Sequence, residues 1–184
     1  MHRSARALLA SFDDAEGGLT VERLNTMLAQ TAKPVSWAYD VWDALVEGLT
    51  DPGNHRRTIA AQLLSNLASS DPKKRILKDI DRIMAVTHDK RFVTARHTLQ
   101  AVWRIGLAGK KQRDVVIARL AKRFEEAVDE KPGRLIRHDI AVSLRQLYDA
   151  TDDRAVLERA RRLIDTETDA KYRKKYLTAW RGAE

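Results

Sequence analysis

The chain of 184 residues contains no cysteine, only four prolines and eight glycines, and few aromatic residues. The missing cysteines exclude disulfides, thiolate nucleophiles and thiolate-ligated metals together, and suit a reducing compartment. Scarce proline and glycine, few β-branched residues and abundant Ala, Leu, Arg, Lys, Asp and Glu argue for helices. No run alternates with period two over a useful length, so no strand is predicted. No long apolar run is present either: Ala7 to Ala10, near the start, is too short for a signal or membrane segment. A soluble, cytoplasmic, single-domain protein is the expectation, with no membrane partner.

What is present is charge. The net charge is +8, unevenly spread: residues 1–50 hold 4 Lys/Arg against 7 Asp/Glu, and residues 51–184 hold 30 against 19. A basic body of this kind attracts anionic partners. Punctuation is regular as well. Pro34, Asp51-Pro52-Gly53, Asp71-Pro72, Gly109 and Pro132-Gly133 fall between apolar-periodic segments, where proline opens helices and glycine closes them. They predict helices near 3–11, 19–30, 36–48, 54–69, 72–86, 90–107, 110–128, 132–149, 153–165 and 168–181.

Three of these segments repeat. "RILKDIDRIM" from Arg75, "VVIARLAKRF" from Val115 and "AVLERARRLI" from Ala155 align without gaps at a spacing of forty. Four apolar columns result: Ile76, Val116, Val156; Leu77, Ile117, Leu157; Ile80, Leu120, Ala160; Met84, Phe124, Ile164. The intervening helices repeat more loosely, through Leu64 and Leu67, Val102 and Ile105, and Leu144 and Leu147. A two-helix unit of this size cannot cover its own apolar stripe and must stack on copies of itself.

The alternation of "NHRRTIAAQLLSNLA", "RFVTARHTLQAVWRIGLA" and "GRLIRHDIAVSLRQLY" with these second helices resembles HEAT repeats, the armadillo-type family. The resemblance covers roughly residues 36–184. It implies an all-α fold, a right-handed α-α superhelix of about four helix pairs, with residues 1–35 as a short N-terminal helical cap. It also implies that the second helix of each pair lines the concave surface. HEAT arrays serve mostly as scaffolds and transport factors, so the resemblance carries architecture further than activity.

Reactive constellations are not evident. The stretch "HDKRFVTARHTLQAVWRIG", His88 to Gly106, gathers histidines, arginines and a tryptophan. On a helical wheel Phe92, Ala95, Leu99, Val102, Trp103 and Gly106 share one apolar arc, so Trp103 reads as packing between repeats. His97 and Arg104 fall toward solvent, and Arg96 lies at the edge of the arc, where its stem could cover Trp103. No two of the five histidines have helical metal-pair spacing. "FDDAEGGLTVE", Phe12 to Glu22, lacks the acidic positions of a calcium loop and reads as a polar turn. "GLAGKK" lacks the spacing of a phosphate loop and reads as a helix end followed by a basic start. Neither the pair Glu125-Glu126 nor the pair Asp152-Asp153 has a neighbour that would raise a pKa. No catalytic residue, cofactor or metal ligand is assigned.

One polar feature shares the repeat. Arg82, Lys122 and Arg162 occupy one column, and Arg119 and Arg159 follow Asp79 in the next. Arg82, Lys122 and Arg162 lie opposite the apolar stripe. A plain solvated face is one reading of these five residues. A basic groove for an acidic protein or phosphopeptide is the other. A nucleic-acid partner is the alternative, because HEAT-like alkylpurine DNA glycosylases share such a stack and a cationic groove. Those enzymes also carry an aromatic-and-aspartate constellation to which no aspartate here can be matched. Five phosphate contacts would lose roughly 500-fold in affinity between 50 and 200 mM salt, which describes loose, sequence-blind binding.

Overall fold

The computed structural model describes residues 1–16 and 20–183. Ten α-helices and no strand occur among these residues. They are α1 (Arg3–Asp13), α2 (Val21–Thr31), α3 (Ala38–Gly48), α4 (Asn54–Leu67), α5 (Ile76–Val86), α6 (Phe92–Val102), α7 (Lys110–Glu126), α8 (Gly133–Thr151), α9 (Arg154–Asp165) and α10 (Ala170–Ala179).

Side chains and turns set the helix ends. Thr20 accepts from the N–H of Arg23 to open α2, Asp153 accepts from Ala155 to open α9, and Asp169 accepts from Lys171 and Tyr172 to open α10. Pro72 does not open α5. Lys74 turns left-handed with φ of 54°, and the buried Asp71 carboxylate instead accepts from the N–H of Ile76 at 2.7 Å. Helix α6 also stops short, because the chain tightens into a 3₁₀ turn over Trp103–Ala108. Of the "FDDAEGGLTVE" stretch, Gly17, Gly18 and Leu19 lie outside the described residues; Asp14–Glu16 form a 3₁₀ turn at its start.

The helices stack in two layers. The even-numbered helices pack in sequence, α2 on α4, α4 on α6, α6 on α8 and α8 on α10. The odd-numbered layer runs α1 on α3, then α5 on α7 and α7 on α9. The indole N–H of Trp42 in α3 donates to Asp79 of α5 at 2.9 Å, and Asp43 of α3 pairs with Arg75 at the start of α5. The arrangement is compatible with a helical-repeat stack. Between the layers lies one apolar core reaching from Ala5 to Ala183.

The four apolar columns occupy this core. Ile76, Val116, Val156, Ile80, Leu120, Ala160, Phe124 and Ile164 are sealed from solvent, and Ile117, Leu157 and Met84 nearly so. Leu77 is partly buried against them. Close approach between helices removes side chains where units meet: a Cβ at Gly133 would lie 1.8 Å from the carbonyl oxygen of Ala127.

One polar residue breaks the apolar pattern. Arg123 stands forty residues from Ile83 and from Leu163, both buried, and is itself only 2% exposed. Its guanidinium grips both carboxylate oxygens of Glu130, at 2.6 and 2.8 Å, and donates to the carbonyl of Thr87 at 3.1 Å. Its Nε–H has no acceptor among the described residues. Removing one partner of such a pair strands the other, and we expect Arg123→Ala to cost about 3 kcal/mol in urea unfolding. Arg123→Leu, which restores the apolar column, should cost less than the alanine change; equal losses would refute this account of the site.

Candidate anion-binding face

The sequence-predicted cations lie on the odd-numbered layer. Arg82 is on α5, Arg119 and Lys122 on α7, Arg159 and Arg162 on α9. Arg82, Lys122 and Arg162 are exposed, whereas Arg119 and Arg159 are half-buried. The two half-buried arginines are spoken for. Arg119 reaches back to both oxygens of Asp81 on α5, and Arg159 reaches back to Glu125 on α7 at 3.2 Å. With Arg75 and Asp43 they make a recurring clasp, in which an arginine of one helix holds a carboxylate of the preceding odd-numbered helix. Lys122 approaches Glu126 one turn along its own helix at 3.6 Å, a loose and exposed pair. Arg82 and Arg162 form no ion pair among the described residues. Two of the five cations therefore fasten helices together, and three face outward.

The even-numbered layer has its own ties. Arg57 of α4 binds Asp89 through two nitrogens, and Arg96 of α6 binds the buried Asp139 of α8 at 2.6 and 3.0 Å. Arg137 of α8 donates to Glu167 at 3.1 Å and to the carbonyl of Phe124 at 3.0 Å, and Tyr176 of α10 donates its hydroxyl to that same Glu167. Arg96 is thus not the cover for Trp103 that the helical wheel suggested. It turns the other way, to α8. Arg104 corrects a second expectation. The 3₁₀ turn rotates it off the solvent face, and its guanidinium sits 4.8 Å from the Trp103 ring centroid, half-buried. Trp103 itself packs partly buried against the core and donates to the carbonyl of Gln100. His97 is exposed, as expected.

The ion pairs account for the displaced titrations. Arg119 holds Asp81 below the ordinary carboxylate range, Arg123 does the same for Glu130, and Arg113 for Asp153. Burial pushes Asp89 and Glu167 upward, but the hydrogen bonds they accept from arginine and backbone N–H groups outweigh it and leave both lowered. Burial lowers His88, with Arg123 adding to it, and lowers His138, with Lys175 adding to it. Each lowered carboxylate faces an arginine that fixes one structural element to another. No group of three or more His, Asp or Glu that could hold a metal occurs among the described residues.

One concavity was not foreseen from the sequence. A groove of about 690 Å³ runs across α2, α4 and α6, lined by Val21, Leu24, Leu28, Ile59, Phe92 and Val93 among others. Its signal was present: Val21, Leu24 and Leu28 are spaced to share one face of α2. On that face Val21 is 74% exposed, and Val93 of α6 is 63% exposed.

The chain matches no protein-family model, and no curated protein is significantly similar to it. No helix among the described residues is long and apolar enough to cross a membrane.

Acid should loosen the fold in two stages. A group whose folded pKa is depressed contributes stability that is complete above its unfolded value and is lost as pH falls through the folded one. His88 and His138 begin to lose theirs below about pH 6.5, and the arginine-held carboxylates theirs below about pH 4. We expect a urea midpoint that declines slowly from about pH 6.5 and steeply below about pH 4, with a shallower lower stage in Glu167→Gln. A midpoint unchanged down to pH 3 would contradict the assignment.

Proposed function

We propose that this chain is a non-enzymatic binding module, a short right-handed α-α superhelix of HEAT type, which holds an acidic protein segment or phosphopeptide. One observation carries the reading: Arg82, Lys122 and Arg162 recur at one repeat position on helices that neighbour one another, all three exposed and pointing away from the apolar stripe. Supporting it is the division of labour among the five cations. Arg119 and Arg159 neutralise Asp81 and Glu125, so neither those arginines nor those carboxylates dominate the face. Carboxylates or phosphates spaced along an extended peptide meet one cation per unit, at the 8–10 Å separation of packed helices.

Nucleic acid fits this face less well. Three outward cations meet about every third phosphate of a strand and give a salt slope near −2.7, a loss of about 40-fold between 50 and 200 mM salt. The alkylpurine-glycosylase resemblance adds no support, since Trp103 is covered by Arg104 and packs into the core.

The test is fluorescence anisotropy with labelled acidic and phosphoserine-containing peptides, and with single- and double-stranded oligonucleotides, across a salt series. Reversing all three charges, in R82E/K122E/R162E, should leave thermal unfolding nearly unchanged and weaken acidic-peptide binding at least about tenfold. An unchanged affinity would remove the proposal, and oligonucleotide binding alone would replace it with the nucleic-acid reading. By contrast, R119E or R159E should lower stability by up to about 1 kcal/mol, because each sets like charges against a neighbouring helix.

A further inference from the structure

The groove across α2, α4 and α6 is a second surface, on the layer opposite the repeated cations. Three observations mark it. Its lining includes six apolar side chains, and two of its valines are left largely in water, Val21 at 74% and Val93 at 63% exposure. A single isolated apolar side chain on a surface is ordinary; six lining one depression are the usual form of an interaction site. The third observation is charge. Among the described residues the lining contains Arg91, His55 and His97 and no carboxylate. Glu22, next to Val21 in the chain, lines the separate depression beside α1 instead.

We propose that this groove docks an amphipathic helix of a partner protein, with apolar side chains on its inner face and carboxylates along its flanks. Dimensions favour a helix. Crossing from α2 to α6 spans two interhelical distances, about 18 Å, which a helix of about twelve residues covers. Side chains spaced i, i+3, i+4 and i+7 then enter between the three supporting helices. Asn25, Asn54, Thr58 and Gln62 are interspersed with the apolar residues of the lining, and the groove is open to solvent rather than closed over a tail as a lipid site would be. Carboxylates of the docked helix meet Arg91 at one edge of the groove. This site is independent of the odd-numbered layer, and the two together make the module a bridge between partners.

The experiment uses the full chain and three synthetic peptides of about eighteen residues. One has Leu and Phe at the stated spacing with Glu on its flanks, one replaces Glu by Lys, and one scrambles the order. The acidic amphipathic peptide should bind at micromolar concentration, and the lysine and scrambled forms at least about tenfold more weakly. Val21 and Val93 stand in the first turns of α2 and α6, where an aspartate favours the helix dipole, so V21D/V93D keeps the fold while charging the groove. It should abolish peptide binding and leave thermal unfolding in place. R91E should weaken the acidic peptide and strengthen the lysine peptide. The column variant R82E/K122E/R162E should leave this peptide's affinity within about twofold, which separates failure here from failure of the odd-layer reading. The proposal is overturned if charge makes no difference among the peptides or if V21D/V93D binds as before. It is equally overturned if a fatty acid binds where the peptides do not, or if sedimentation shows a dimer that V21D/V93D dissociates.

Discussion

The fold depends on one deficit: no single pair of these helices can bury the apolar stripe it carries. Ile80, Leu120 and Ala160 find cover only because each unit lies against another, and the core they form runs the length of the stack without a break. Hydrophobic contact of this kind is non-directional, so it fixes neither the angle nor the registry of neighbouring helices. Direction comes from polar ties laid over it. Arginines bridge from one unit to the next on both layers, to Asp81, Asp89 and Asp139 with paired hydrogen bonds that tolerate little rotation, and to Glu125 and Glu167 with single ones.

That arrangement changes how the net charge is understood. Pairing removes a cation and a carboxylate together and leaves the excess of +8 intact, but the fold decides which cations carry it: Arg123 and Arg137 are consumed inside the structure by Glu130 and Glu167. Arg82 and Arg162 are among those left outward.

The helices and the apolar columns were legible because each rests on a period. A forty-residue interval and a 3.6-residue turn both survive translation from letters to space, so Ile76, Val116 and Val156 fell where the alignment put them. What the letters hid was polar burial. Arg123 and Asp139 look like surface residues in any pattern of apolar and charged positions, and only the partner brought near by the fold explains why they are inside. Arg104 was misjudged for a smaller reason. The assumption of 100° per residue fails once the chain tightens at Trp103, and one altered turn moves a side chain from water onto an indole. The groove escaped notice because it belongs to three helices that are not consecutive, so no local window contains it.

The Arg123 guanidinium in the core has a corollary for the history of such a chain. Units held together by grease alone could be duplicated, shuffled or deleted with modest harm, since any one would fit against any other. Arg123 forbids that freedom: its acceptors come from the turn before it, at Thr87, and from the turn after it, at Glu130. Moved elsewhere, this unit would keep Glu130 but lose the carbonyl of Thr87, and would need a neighbour with an acceptor in that place. Exchange of units is limited to neighbours that meet this demand.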